Sequence, residues 1–281
     1  MNASSSTGKR ILIKFGGNAL SGEGDLKRFS EDIARLLRSG VWPIIVHGGG
    51  PEISQEMERR GLKVKKVSGL RVTDDAALQV AAEVLARINS EIVASLKGEG
   101  VDAVGMCGCD SRAVVAAKMP PVAAKDEGGR DIKVDLDRVG EVSRVDRSVL
   151  EPLVASGKVP VIFPICAGED GGRLNVNADT VAASVARAVG ADEMILVTDV
   201  PGILKGGEGG REVIPSLTLS EVDELIAGGV ITGGMIPKVE ACRAALGSGV
   251  SAVLMLNGKE PHSMVRKMIQ HEKIGTEITV E

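Results

Sequence analysis

The sequence contains very few aromatic residues: Trp42, three Phe and no Tyr among 281 residues. Proteins that bind single-stranded nucleic acids stack the bases on aromatic side chains, and a net charge of −4 at pH 7 provides no basic surface for a polyanion. We therefore expect no nucleic-acid partner. The 43% of hydrophobic residues suffices for one large α/β domain or two lobes sharing a sheet, with a core built from Val, Ile, Leu and Ala.

Cysteine is scarce too, and long apolar runs are absent. The four cysteines, Cys107, Cys109, Cys166 and Cys242, have neither the spacing of a zinc site nor the density of a disulfide scaffold, so we expect free thiols. The polar, serine-rich start lacks the apolar core of a signal peptide, and no apolar run reaches the length of a membrane span. These features predict a soluble cytoplasmic protein with no membrane partner.

The common nucleotide-binding fingerprints are missing as well. No G-x-G-x-x-G follows a predicted strand, no Walker A sequence occurs, and the catalytic loop of protein kinases is absent. These absences argue against a dinucleotide-dependent oxidoreductase, a P-loop hydrolase and a protein kinase.

Two short apolar runs end in glycines instead. Residues 11–20 read ILIKFGGNAL, with Lys14 just before the glycines, and residues 43–51 read PIIVHGGGP. A lysine at the end of a strand is costly to bury unless it meets an anion, and glycines let backbone amides approach that anion closely. Pro51 is suited to the first turn of a helix, whose start presents unpaired N–H groups. Together the two junctions predict one shared, phosphate-containing ligand.

Apolar periodicity predicts strands that alternate with helices. Strands are predicted at 10–15, 43–46, 101–105, 160–163, 194–198 and 252–256, and helices at 26–39, 51–60, 74–97, 146–155, 177–189, 220–227 and 236–247. Residues 112–145 are interpreted as hairpins over one end of the sheet, and Gly206–Gly210 as a flexible loop. The alternation is typical of an α/β protein with a mostly parallel sheet covered on both faces, which binds ligands at the carboxyl ends of its strands.

Six ordered motifs, spread over nearly the whole chain, identify a family. They are Lys14-Phe-Gly-Gly-Asn-Ala, His47-Gly-Gly-Gly-Pro, Gly69-Leu-Arg-Val-Thr-Asp, Asn175-Val-Asn-Ala-Asp, Thr198-Asp-Val-Pro-Gly and Gly233-Gly-Met-Ile-Pro-Lys. With this order and spacing the chain resembles the amino acid kinase family. The resemblance implies a three-layer αβα sandwich with a mostly parallel central sheet and two lobes. Residues 1–190 would bind the phosphoryl acceptor, and residues 191–281 would bind the nucleotide.

The resemblance also implies a role for individual residues. Lys14 and Lys238 would lie on opposite sides of the migrating phosphoryl group, with Asp179 orienting both lysines. The remaining positions form three groups: amides that contact the transferred group (Gly16, Gly17, Gly48, Gly49), residues that bind the acceptor (Gly49, Gly50, Arg71, Asn175) and residues that bind the nucleotide (Thr198, Asp199, Gly202, Gly234, Met235). ATP and Mg²⁺ would be the cofactors, with no metal ligand assigned in the protein.

The activity implied by the resemblance is phosphorylation of the side-chain carboxylate of N-acetyl-L-glutamate in arginine biosynthesis. Four alternatives remain: the acceptor is a carrier-bound aminoadipate or glutamate, carbamate or UMP, or the protein is a sensor without catalysis. We expect a homodimer that lacks a hexamer-forming arm and is insensitive to arginine. The apolar stripe of the 74–97 helix is interpreted as core, with a subunit interface as the second interpretation.

Some residues favour a structural role over a chemical one. His47 is predicted to fill space at a strand end and to bond to a neighbouring loop, and Asn177 to cap a helix. The segment 110–112 is predicted to be a turn. His262 and His271 are predicted to be solvated.

Overall fold

The structure, a computed structural model, describes residues 8–16, 19, 24–67, 69–125, 129–207 and 210–281. Its strands are β1 (Lys9–Phe15), β2 (Val41–His47), β3 (Lys66–Val67), β4 (Leu70–Arg71), β5 (Ala103–Cys107), β6 (Val114–Lys118), β7 (Val122–Lys125), β8 (Asp131–Val134), β9 (Val139–Val145), β10 (Val159–Phe163), β11 (Ile165–Gly168), β12 (Arg173–Val176), β13 (Glu193–Thr198), β14 (Leu204–Gly207), β15 (Gly210–Val213), β16 (Ser216–Thr218), β17 (Ala252–Asn257) and β18 (Thr276–Thr279). Its helices are α1 (Asp25–Arg38), α2 (Gly50–Arg59), α3 (Asp75–Gly98), α4 (Arg147–Ala155), α5 (Ala178–Val189), α6 (Leu219–Ala227), α7 (Met235–Leu246) and α8 (Ser263–Met268).

One eight-stranded sheet forms the middle layer, in the order β16-β18-β17-β13-β1-β2-β10-β5. Its neighbouring strands pair in parallel, except β17 with β18. Helices α1, α3 and α8 bury apolar side chains on one face, and α4, α5 and α7 on the other. The predicted three-layer αβα sandwich with a mostly parallel sheet is therefore confirmed. The division at residue 190 stays a prediction, and the sheet continues across it where β1 pairs with β13.

The alternation of side chains along β1 determines which way Lys14 points. Ile11, Ile13 and Phe15 lie in the apolar cluster beneath α1 and α3, whereas Leu12 lies in the cluster beneath α5 and α7. Successive side chains of a strand point to opposite faces, so Lys14 shares the face of Leu12 and points toward α5. β1 lies in the middle of the sheet, between β13 and β2. Its carboxyl end therefore opens where helices of both layers can contribute to a site.

Residues 112–145 do form antiparallel pairs, but part of their arrangement differs from the prediction. β7 and β8 make a hairpin, whereas β6 and β9 close a small barrel with β11 and β12, two strands that the sequence analysis did not predict. The predicted loop Gly206–Gly210 is instead the end of a hairpin formed by β14 and β15, with residues 208 and 209 outside the described part.

The apolar stripe of α3 belongs to the core of this chain. Asp74 caps the helix by accepting a hydrogen bond from the Ala77 amide at 2.7 Å, as predicted. Ala81, Leu85 and Ile92 on the stripe are at most 2% exposed. The first interpretation is therefore confirmed. Among the described residues, no helix combines the length and the apolar composition needed to cross a membrane.

The expectation of four free thiols is wrong for one pair. Cys107 and Cys109 form a disulfide, with their Cα atoms 5.1 Å apart. β5 ends at Cys107, and the tight turn that follows brings the second sulfur back to the first; the Asp110 carboxylate holds this turn by accepting from the Cys107 amide at 2.8 Å. Cys166 and Cys242 are free and buried, and burial raises the pKa of the Cys166 thiol to about 12.

Thiol titration checks this pairing. Protein purified without reductant and then denatured is expected to show two thiols per chain, those of Cys166 and Cys242, and four after reduction. The variant Cys107→Ser is expected to show three without reduction, because Cys109 loses its partner. Four thiols in the unreduced wild type would contradict the disulfide.

The histidines near the end of the chain differ in their surroundings. His262 does not project freely into solvent as predicted, because its Nδ1 lies 2.6 Å from the Asp32 carboxylate on α1. The two residues are 230 positions apart, so only the tertiary fold brings them together. His271 is exposed and the segment Asp110–Arg112 is a single 3-10 turn, both as predicted.

Candidate active site

Lys14 and Asp179 form an ion pair at the carboxyl end of β1. The Lys14 Nζ lies 2.7 Å from Oδ1 of Asp179, and the two side chains are 11% and 16% exposed. Asp179 lies in the first turn of α5, where the partial positive charge of a helix start favours a carboxylate. Asn177 fixes this turn as predicted, since its side chain accepts from the Asp179 amide at 2.7 Å. A largely buried ammonium is thus held in place where an anion can reach it.

Glycine backbones surround this ammonium. A Cβ atom at Gly16 would lie 2.9 Å from the Lys14 Nζ and 3.8 Å from the Gly48 Cα, so a side chain at residue 16 would displace the Lys14 ammonium from its present position. The Gly48 amide bonds to the Phe15 carbonyl at 2.9 Å, which ties the two junctions together. Gly17 was predicted to contact the same ligand and lies outside the described residues.

The start of α2 provides free amides at the same place. Gly49 is the N-cap of α2, and a Cβ atom there would lie 2.7 Å from the Ile88 Cδ1 of α3. Within the described part of the chain, the amides of Gly49 and Gly50 have no hydrogen-bond acceptor. Unpaired N–H groups at a helix start bind phosphate. Lys14 and these glycines therefore form a cradle whose donors suit an anion such as a phosphoryl group.

His47 lies beneath this cradle on the α3 face and is fully buried. Its Nδ1 is 3.0 Å from the Gly48 carbonyl oxygen, and its Nε2 is 3.0 Å from the Asn89 amide nitrogen. The ring stacks on Phe15, with the centroids 6.0 Å apart. The predicted structural role of His47, a buried ring bonded to a neighbouring loop, is therefore confirmed.

The burial of His47 predicts a pH dependence of stability. Burial lowers the pKa of His47 to about 4, whereas the unfolded chain has the ordinary value of about 6.5. Between these values the unfolded state takes up a proton that the folded state does not. The free energy of unfolding is therefore expected to fall as the pH falls from about 6.5 to 4, by roughly 3 kcal/mol in total.

Urea unfolding at several pH values checks this. His47→Asn removes the titrating ring, so its free energy of unfolding should lack the part of the pH dependence that is due to His47. The difference in free energy of unfolding between variant and wild type should therefore change between about pH 6.5 and 4. The exposed His271 provides the control, because His271→Asn should retain the wild-type pH dependence. A difference between His47→Asn and wild type that does not vary with pH would contradict the depressed pKa.

Arg71 is a buried cation near the start of α2. It is 8% exposed, and its Nη2 donates to the Gly50 carbonyl at 2.9 Å and to the Ser54 hydroxyl at 2.7 Å. Burial lowers the pKa of its guanidinium, and within the described residues it has no carboxylate partner. A planar guanidinium without a counter-ion is suited to bind a carboxylate.

Asn175 is connected to the same place through Thr73. Its amide donates to the Thr73 hydroxyl at 3.2 Å, and that hydroxyl donates to the Arg71 carbonyl at 2.8 Å. The predicted acceptor residues Gly50, Arg71 and Asn175 thus form one hydrogen-bonded cluster. Thr73 was not predicted, although it lies only two positions after Arg71.

Two of the five predicted nucleotide residues line a second cavity. Gly202 and Met235 line a cavity of about 430 Å³, together with Val200, Ile203 and Ile231. Buried Thr198 shapes the turn after β13 by accepting from the Val200 amide at 3.1 Å. Asp199 is exposed next to it, and Gly234 caps α7. The apolar lining suits the flat base of a nucleotide.

Gly202 cannot readily be replaced by a residue with a side chain. Its φ of 147° is disfavoured for residues with a side chain, and a Cβ atom would lie 2.5 Å from the Thr276 hydroxyl. That hydroxyl accepts from the Ile203 amide at 2.9 Å and donates to the Ile214 carbonyl at 2.7 Å. Thr276 therefore fixes the turn, a role that the sequence analysis missed.

Lys238 lies on α7, which packs against α5. Its Nζ lies 3.4 Å from the Gly234 carbonyl of its own helix, and among the described residues Asp179 forms an ion pair with Lys14 but not with Lys238. Asp179 and Pro237 line one groove of about 400 Å³ between the two helices. The segment that carries Lys238 therefore faces Asp179 across this groove, and the joint orientation of both lysines stays a prediction.

The sequence profile of the Amino acid kinase family matches residues 9–257. The chain is 41% identical over 270 residues to the acetylglutamate kinase of Azorhizobium caulinodans, covering 96% of this chain and 89% of the relative. It is 44% identical to that of Agrobacterium fabrum, covering 95% and 90%. It is 41% identical to that of Methanosphaera stadtmanae, with the same coverage of 95% and 90%.

Solved structures show the same fold. An N-acetylglutamate synthase from Neisseria gonorrhoeae, complexed with coenzyme A and L-arginine, superposes with a TM-score of 0.82 at 22% identity; the match covers 97% of this chain and 62% of that one. The protein smu.665 from Streptococcus mutans superposes with a TM-score of 0.75 at 29% identity, and the match covers 97% of this chain and 99% of that one. With the profile matching most of its length and relatives above 40% identity, the chain belongs to the amino acid kinase family.

Proposed function

We propose that this protein transfers the γ-phosphoryl group of ATP to the side-chain carboxylate of N-acetyl-L-glutamate, giving an acyl phosphate and ADP in arginine biosynthesis. The observation that carries the proposal is the Lys14–Asp179 pair beside the amides of Gly49 and Gly50, which have no hydrogen-bond acceptor among the described residues. The relatives named acetylglutamate kinase, which align with nearly the whole chain, support the choice of acceptor.

The residues of the cradle supply what phosphoryl transfer requires. The transition state is loose and spreads negative charge over the equatorial oxygens, so catalysis consists of positioning and electrostatic stabilisation. Lys14 and the glycine amides are prearranged donors for those oxygens. The attacking carboxylate is already ionised at neutral pH and needs no general base. His47 is consistent with this, because it is buried and both of its ring nitrogens already contact protein atoms, which leaves neither free to take a proton from a substrate.

The cluster around Arg71 gives the acceptor its orientation. The guanidinium and the Asn175 amide would bind the α-carboxylate of the substrate and direct its side chain toward the cradle. The Thr73 hydroxyl links the Asn175 amide to the backbone carbonyl of Arg71, so both residues belong to one end of the proposed site. A compact acidic amino acid would bind between the start of α2 and this hydrogen-bonded cluster.

The nucleotide would place its base in the cavity lined by Gly202 and Met235, with its phosphates directed toward Lys14 and Lys238. Within the described residues, carboxylates do not cluster at this site, so Mg²⁺ would be held mainly by phosphate oxygens. When bound, the metal neutralises charge on those oxygens.

An acceptor panel tests the proposal. Acyl phosphates are trapped by hydroxylamine as hydroxamates, so ADP release and hydroxamate formation are measured together with N-acetylglutamate, glutamate, aminoadipate, carbamate and UMP. We expect both products with N-acetylglutamate. Equal or greater turnover with another acceptor would replace the substrate while keeping the family chemistry. ATP binding without turnover on any acceptor would favour the sensor.

We propose a cytoplasmic homodimer without arginine inhibition. Since the apolar stripe of α3 is buried in the core, a dimer would have to use the opposite, polar face of that helix or another surface. Light scattering that shows a hexamer, or strong inhibition by arginine, would contradict this.

A further inference from the structure

We infer that His47 is a positioning residue: its ring holds the Gly48 carbonyl on the α3 side and thereby turns the Gly49 N–H toward the transferred phosphoryl group. The inference rests on the proposed function for the identity of that group. It assigns to His47 and Asn89 a joint task in preparing the anion site, beyond the filling of space in the core.

The tautomer of His47 follows from its partners. The Asn89 amide nitrogen donates to the Val161 carbonyl at 2.8 Å, and a carbonyl oxygen can only accept, so this contact fixes the orientation of the Asn89 amide. The same nitrogen lies 3.0 Å from the His47 Nε2. Nε2 must therefore accept, and the ring proton resides on Nδ1. Nδ1–H then donates to the Gly48 carbonyl at 3.0 Å.

Planarity of the peptide bond converts this contact into a direction for the next amide. In a trans peptide the C=O of one residue and the N–H of the next point in opposite directions, and the described residues contain no cis peptide. With the Gly48 carbonyl held on the His47 side, the Gly49 N–H points away from the α3 layer. That N–H has no acceptor within the described part of the chain, as expected of a donor kept for a ligand.

The packing around Asn89 and His47 holds both side chains in these positions. A Cβ atom at Gly105 would lie 2.1 Å from the Asn89 Oδ1, so a glycine in β5 makes room for the Asn89 amide. Asn89 is 5% exposed within an otherwise apolar stripe of α3. Phe15 and Phe163 enclose the ring, with centroids 6.0 and 6.1 Å from that of His47. Burial keeps the imidazole neutral at physiological pH by lowering its pKa to about 4.

Variants that differ in one donor separate positioning from space filling. His47→Leu removes the donor to the Gly48 carbonyl, whereas His47→Asn can place an amide N–H close to the position of Nδ1–H. We expect His47→Leu to lower kcat roughly 30-fold, with KM for both substrates within about twofold, because the misdirected amide acts mainly in the transition state. His47→Asn is expected to recover about tenfold of that loss. His271→Asn, at an exposed histidine, is the control for the substitution itself.

A measurement on the wild type tests the inference independently of activity. Nitrogen-15 NMR of the imidazole groups is expected to show a ring protonated at Nδ1 and not at Nε2, and His47→Asn should remove this signal. An Nε2–H tautomer, a kcat of His47→Leu within about threefold of wild type, or equal losses in both variants would overturn the inference. If His47→Leu does not fold, the inference is tested by the kcat of Asn89→Leu and by the tautomer that NMR shows in the wild type. Failure of the proposed function would appear differently, as wild-type protein that forms no hydroxamate from N-acetylglutamate.

Discussion

Lys14→Ala is expected to lower kcat at least about a hundredfold while leaving the fold intact. The Lys14 ammonium is 11% exposed, adjoins the glycine cradle and is paired with Asp179 at 2.7 Å. Loss of one prearranged donor to a developing charge typically costs roughly 3 to 4 kcal/mol in the barrier. The hydroxamate assay measures kcat, and circular dichroism with thermal unfolding verifies the fold.

Lys9→Ala is the matched control for this variant. Lys9 begins the same strand and also forms an ion pair, at 2.5 Å with Glu193, but it lies at the opposite end of β1. Its removal should leave kcat within about twofold of wild type. Wild-type turnover in folded Lys14→Ala would remove Lys14 from its proposed role.

Lys238→Ala is expected to have an effect as large as that of Lys14→Ala, although the two lysines differ in the structure. The Lys238 Nζ lies near a carbonyl of its own helix at 3.4 Å, so it has to turn toward the phosphates when nucleotide binds. If Lys14→Ala loses activity and Lys238→Ala does not, the scheme of two lysines on opposite sides of one phosphoryl group is wrong.

The sequence allowed the architecture and the composition of the site to be predicted because both follow from local patterns. Strand alternation places Lys14 on the α5 face, and glycines at two strand ends predict the cradle. Arg71 and Asn175 are 104 positions apart, yet each lies in a family motif, and the hydrogen bonds through Thr73 bring both to one place.

The contacts that were not predicted depend on the tertiary structure. Asn89 meets His47 only because α3 packs on β10, the neighbour of β2, and Asp32 meets His262 only because α8 packs on α1. One signal was available: Asn89 interrupts an apolar stripe between Leu85 and Ile92. A polar residue in such a position requires a buried partner, but the sequence does not identify that partner as His47. The Cys107–Cys109 disulfide depends on a turn whose geometry the composition does not reveal.

Asp179→Asn is expected to reduce kcat by roughly 10- to 100-fold and to change KM for either substrate by less than about threefold. The amide keeps the volume of the carboxylate and still suits the first turn of α5, so the fold should persist. The neutral amide cannot balance the positive charge of Lys14. The ammonium therefore loses the carboxylate that lies 2.7 Å from it and fixes its position. Steady-state kinetics on both substrates separates the two parameters.

The split between kcat and KM is the informative result, because Asp179 is proposed to act through Lys14 and not on the substrate. Asp223→Asn, at an exposed carboxylate on α6 paired with Arg243, provides a control that removes an ion pair without approaching the cradle. A rise in KM as large as the fall in kcat would mean that Asp179 contacts a substrate or its metal directly. An unchanged kcat would mean that Lys14 is held by the glycine backbone alone, and the ion pair would then have no part in catalysis.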